Sequence, residues 1–146
     1  MITGGQQQVY DEVFTLVKET VDSWDPIAGL GLVVIWQDDL KSVDIKTPVL
    51  AVSLQHVMGR QASLAGDGPQ RRWKSEGIIY MQVRCPARGE GLTTIWELRN
   101  MCVAAIRGKS TPGGVWFRNV IAKEDAPKDG NSRATITGEF TYQEIS

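Results

Sequence analysis

Between Ala134 and Gln143 the chain alternates cleanly. Ala134, Ile136, Phe140 and Tyr142 fall on one side, and Thr135, Thr137, Glu139, Thr141 and Gln143 on the other. A period of two marks a strand with one buried and one wet face. Such a strand is not stable alone; it needs neighbours in a sheet and a cover for its apolar side. The pattern therefore predicts a closing strand over 133–144 and demands a layered fold.

The rest of the chain supplies those neighbours and that cover. Val9, Tyr10, Val13, Phe14, Val17 and Val21 recur at helical spacing, with Asp11, Glu12, Lys18, Glu19 and Asp22 between them, which predicts an amphipathic helix from about Gln6 to Ser23. Pro26 and Gly29 break it. Leu30 to Trp36 reads as a short strand and 37–46 as a charged loop. Pro48 opens the next strand, with Leu50, Val52 and Leu54 on one face. Ile79, Met81, Val83 and Cys85 alternate with Ile78, Tyr80, Gln82 and Arg84 in another, ended by Pro86. Leu92, Ile95, Trp96, Val103 and Ile106 mark a second helix, closed by Gly108 as a C′ glycine, with Thr94 and Glu97 at capping-box spacing. Thr111-Pro112-Gly113-Gly114 is a turn, Val115 to Ile121 a strand, and Lys123 to Ser132 a polar loop. The predicted order is α-β-β-β-α-β-β. It describes an α+β two-layer sandwich, mainly antiparallel, with two helices packed on one face of the sheet. The 146 residues suit a single domain, 1–146.

Composition narrows function. A net charge near −1 leaves no global excess of cations for nucleic acid or membrane. No apolar run approaches the roughly 20 residues that span a bilayer, and no signal peptide is evident, so synthesis in the cytoplasm is expected. One histidine and two cysteines, 17 positions apart, do not make a metal site. Cys102 and His56 can be drawn as a nucleophile pair, but Cys102 sits in the apolar stripe of a helix, where cysteine behaves as a small hydrophobe. Gly89-Glu90-Gly91 lacks the third glycine and the βαβ setting of a dinucleotide loop. Gly108-Lys109-Ser110 lacks the upstream glycine of a phosphate loop. Asp38 and Asp39 read as a solvated loop. The expectation is no catalytic residue, no metal, no cofactor, and no enzyme.

Interaction residues are easier to nominate. A long basic hairpin insertion around 57–77 gathers Arg60, Arg71, Arg72 and Lys74 beside Trp73, against the single acid Asp67. These residues are candidates for contact with a partner or with DNA in a channel. The second helix is apolar over more than one narrow stripe, which predicts burial on two sides, one of them against a neighbouring subunit. Leu98 and Met101 are the candidate interface residues there. Trp116, after two glycines, is a third, since aromatics enrich interface hot spots.

Three stretches then carry a resemblance. The first is the N-terminal helix Gln7-Gln8-Val9-Tyr10-Asp11-Glu12-Val13. The second runs from Gly77-Ile78-Ile79-Tyr80-Met81-Gln82-Val83-Arg84-Cys85-Pro86 through a glycine-containing turn to a helix ending Ile106-Arg107-Gly108. The third is the closing Gly138-Glu139-Phe140-Thr141-Tyr142-Gln143-Glu144. In layout, across most of the chain, this resembles the tail terminator, or tail-completion, proteins of long-tailed bacteriophages. The resemblance implies a structural protein at the head-proximal end of a virion tail. It implies a ring of identical copies, hexameric, that caps the tail tube protein, stops its polymerisation and meets a head-side connector protein. Genomic DNA passes through the hole without sequence specificity. The basic insertion departs from that layout. Two alternatives stay open: another neck or connector component, and a nucleic-acid-binding module using the basic hairpin.

Overall fold

A computed structural model describes residues 2–24, 31–37, 47–61, 72–86, 91–128 and 130–145; for 57–61, 72, 91, 92 and 145 it describes the backbone alone. Helix α1 spans Gly5–Ser23. Val9, Val13, Val17 and Thr20 repeat at three- and four-residue steps and are all buried, while Asp11, Thr15, Lys18, Glu19 and Asp22 face water. No side chain caps its first residue. The Gln8 Oε1 reaches back instead and accepts from the N–H groups of Thr3 and Gly4, at 3.0 and 2.7 Å.

Helix α2 spans Gly91–Ile106. Ile95, Leu98, Met101, Cys102, Ala105 and Ile106 are all buried. Gly108 takes φ 70° just beyond the end, the left-handed geometry expected of a C′ glycine. Thr94 and Glu97 do not form a capping box, because the helix starts before Thr94. Glu97 serves tertiary structure: its Oε1 accepts the Trp24 indole N–H at 2.7 Å.

The strands are β1 (Val33–Trp36), β2 (Val49–Gln61), β3 (Arg72–Pro86), β4 (Trp116–Lys128) and β5 (Asn131–Ile145). They form one sheet in the order β1-β2-β3-β5-β4. The α-β-β-β-α-β-β order matches the reading from sequence, and every ladder is antiparallel except β1 on β2. Leu50, Val52 and Leu54, then Ile79, Met81, Val83 and Cys85, then Ala134, Ile136, Phe140 and Tyr142 all point into the core shared with α1 and α2. Each fully buried aliphatic or aromatic side chain there contributes roughly 1.5–3 kcal/mol. Two glycines let the layers close. A Cβ on Gly138 would stand 3.0 Å from Ile106 Cδ1. One on Gly77 would overlap the Phe140 ring and lie 2.5 Å from the Gln55 carbonyl oxygen.

Two expectations need correction. Of the expected loop 123–132, residues 123–128 are strand: β4 continues to Lys128, which pairs with Asn131 at the start of β5. Its outer half is exposed on nearly every residue, so no apolar alternation signals it. In the basic stretch 57–77 the described ends are paired strand: Gly59–Gln61 pairs with Trp73–Ser75, and Arg72–Gly77 pairs with Phe140–Ile145. The intervening 62–71 lies outside the described residues, as do Asp38, Asp39 and the rest of the 38–46 loop. Finally, the second apolar side of α2, expected against a neighbouring subunit, packs on α1 of the same chain.

Edge strand β4 has two register breaks against β5, between Arg118 and Ile121 and between Asp125 and Lys128. At the first, Asn119 takes φ 52°. This is a bulge, and it re-aims the strand locally.

Candidate assembly surface

Both helices lie on one side of the sheet, and the other side carries no layer among the described residues. Register assigns residues to that open face. On β4, Trp116, Arg118, Ile121 and Lys123 pair with Thr141, Glu139, Thr137 and Thr135 of β5, which alternate away from the core. Lys74, Glu76, Ile78, Tyr80, Gln82 and Arg84 continue it on β3, and Ala51 and Ser53 on β2.

One end of this face is organised around Arg118. Its Nε lies 3.1 Å from Glu139 Oε2 and its Nη2 lies 3.8 Å from Glu76 Oε1. The guanidinium carbon stands 5.8 Å from the Trp116 ring centroid. Asn119 Nδ2 donates to the same Glu139 oxygen at 2.7 Å, and Lys74 Nζ is 3.6 Å from Glu76 Oε1. Exposed ion pairs of this kind add only about 0–1 kcal/mol each, so the network orients side chains more than it holds the fold. Two apolar side chains stand exposed on this face to either side of the Arg118–Glu139 pair: Trp116 is 43% exposed and Ile121 61%. Thr141 lies beneath, in register with both Trp116 and Glu76; its hydroxyl is buried with no hydrogen-bond partner.

The other end holds a cleft of about 310 Å³ lined by Ile35, Ala51, Gln82, Arg84, Arg133 and Thr135.

The nominated residues fall unevenly on this surface. Trp116 is on it and exposed. Lys74 is on it, set against Glu76. Trp73 points to the helix side, half-buried, in register with Glu144. Arg60 and Arg72 are placed in strands by backbone only, and Arg71 lies outside the described residues. Leu98 and Met101 are corrected: both are wholly buried in this chain's own core, since they sit on the stripe of α2 that meets the sheet and α1. Sequence reasoning also missed Trp96, which is 42% exposed on α2 although it was counted in the apolar stripe, and Ile121. Arg84 carried a signal: it sits in the polar series of a strand whose other members include Ile78 and Tyr80.

The histidine and both cysteines lie on the helix side of the sheet. His56 continues the Leu50–Val52–Leu54 series inward. Its Nε2 is 2.8 Å from the Tyr142 hydroxyl, and the rings of Tyr10, Phe140 and Tyr142 stand edge-on at 6.0, 5.3 and 5.8 Å. Burial lowers the His56 pKa, opposed by the Glu144 charge, and burial raises that of Tyr142. The partner of His56 is thus a tyrosine. Cys102 is buried and its pKa is pushed up to about 12; burial raises Cys85 as well. Among the described residues no three His, Cys, Asp or Glu gather as a metal set, and no helix is long and apolar enough to cross a membrane.

No protein-family model and no curated protein matches the chain. Solved structures do. One solved chain superposes with a TM-score of 0.61 at 17% identity, over 90% of this chain and 94% of its own length. The likeness extends over the whole domain and concerns the fold. A chain from the virion of a native gene transfer agent particle aligns over 92% of this chain and 93% of its own, with a TM-score of 0.46 and 12% identity.

Proposed function

We propose that this chain is a structural subunit of a phage-type virion, a tail terminator. Its copies form a ring, six by resemblance, on the end of the tail tube. The ring stops tube growth, offers a docking surface to the head-side connector, and lets DNA through its hole. It works by presenting surfaces and carries out no bond-making step of its own.

The observation that carries this reading is the helix-free sheet face with Trp116 and Ile121 exposed on it. An exposed tryptophan stacked with an arginine, and an exposed isoleucine beyond that arginine, are residue types that enrich protein interfaces. The layout likeness described from the sequence supports the place in the tail. Assembly of virions without this chain tests it. Tails of uncontrolled length that fail to join heads are expected. Tails of normal length on filled, joined heads would overturn the reading.

A further inference from the structure

Arg84 of β3 and Arg133 of β5 are direct cross-strand partners on the open face. Like charges so placed repel, and the chain's own acids relieve them only in part. Arg133 gives its Nε and Nη2 to the Ala126 carbonyl, at 3.2 and 2.8 Å. The acid in register is Asp125, whose Oδ2 accepts from the Thr135 hydroxyl at 2.6 Å. Among the described residues the Arg84 guanidinium makes no ion pair. The two arginines line the 310 Å³ cleft with Gln82, Thr135 and Asp125 beside them, so one acid, already held by the Thr135 hydroxyl, stands against two guanidinium groups. A planar cation with its donors unspent, next to a second one, is a receptor for a carboxylate.

The complementary charge lies on the opposite layer. Asp11, Thr15 and Glu19 stack at four-residue steps along the exposed side of α1 and line a second cleft, of about 350 Å³. Glu12, in the same cleft, is committed to the Gly113 N–H and to Gln8, both at 2.6 Å. Asp11 accepts from Gln7 at 3.0 Å. The Glu19 carboxylate has no partner among the described residues. One layer thus offers an unspent guanidinium and the other an unspent carboxylate, and within one chain they cannot meet. The overall charge of −1 favours such pairing between copies over a polyanionic ligand.

We propose that the Arg84–Arg133 cleft of one copy receives Glu19 of the next, so that copies pack sheet to helix. This rests on the ring reading and specifies its interface. Contact between two different patches is heterologous, the kind that closes a ring after a fixed rotation.

Charge exchange on the full chain tests it, read by light scattering after size-exclusion chromatography, with circular dichroism to verify folding. Wild type should assemble. Arg84→Glu and Glu19→Arg should each raise the concentration needed for half-assembly at least about tenfold. The double variant, or an equal mixture of the two singles, should recover it. Arg84→Gln and Glu19→Gln replace any reversal that fails to fold. Unchanged assembly of the singles, or no recovery on pairing, overturns the interface while leaving the ring standing. Loss with Arg84→Glu alone, together with wild-type binding of inorganic phosphate at that cleft, makes it a phosphate site and overturns the proposal. A wild type that stays monomeric at every concentration removes the ring reading and this interface with it.

Discussion

The Nε2 of His56 lies 2.8 Å from the hydroxyl of Tyr142, inside a box of three aromatic rings. An ordinary imidazole titrates near 6.5, and burial holds this one lower, so the unfolded chain takes up the proton first. Stability from this group is fully present above about pH 6.5 and falls as pH drops below it, levelling off beneath the folded pKa. Glu12 acts in a lower window. Burial opposes its charge, but hydrogen bonds from Thr111, Gln8 and Gly113 outweigh that and lower its pKa from 4.5, so its share is lost only as pH falls below that value. Melting temperature should therefore decline from pH 7 to pH 5, and His56→Gln should flatten that slope. An equally steep slope in the variant would contradict this.

Gly77 packs its bare Cα against Phe140 and the Gln55 carbonyl. Alanine there must displace an aromatic ring or a strand backbone. Overpacking of this kind costs about 1–3 kcal/mol. Urea unfolding should show it as a lower midpoint with unchanged slope; an unmoved midpoint would mean that the strands yield freely.

Leu98 and Trp116 should separate stability from association. Leu98→Ala empties a fully buried site and should cost about 2–5 kcal/mol. Trp116→Ala alters an exposed side chain and should leave stability within about 0.5 kcal/mol of wild type, while weakening assembly. The reverse pattern would relocate the interface.

Both cysteines are buried and both thiols are pushed toward the protonated form, Cys102 to about 12. Since the thiolate is the reactive species, a thiol reagent at pH 8 should label neither in the native protein and both in urea. Rapid stoichiometric labelling before unfolding would show that the core opens readily.

Where local pattern carries information, the sequence reads correctly. The helices, the apolar series of β2, β3 and β5, and the glycine stop at Gly108 were all visible, because each is a matter of neighbouring residues. The second half of β4 was not, since a strand exposed on both faces has no apolar period. The parallel pairing of β1 on β2 was not, because no helical crossover pattern separates them. Trp96 shows a further limit: a helical stripe read from spacing alone cannot tell its centre from its exposed margin. Neither the Arg84–Arg133 opposition nor the aromatic box around His56 could be read from sequence. Both depend on register between distant strands, which no single strand encodes.

The kinked margin at Asn119 bears on how copies can join. A straight outer strand would invite the next molecule to dock rung for rung and so on without end, as fibres do. With its ladder interrupted twice and Pro127 near the tip, β4 offers no continuous seam for such zippering. The proposed ring must then use broad sides, whose fixed angle allows a finite count of members.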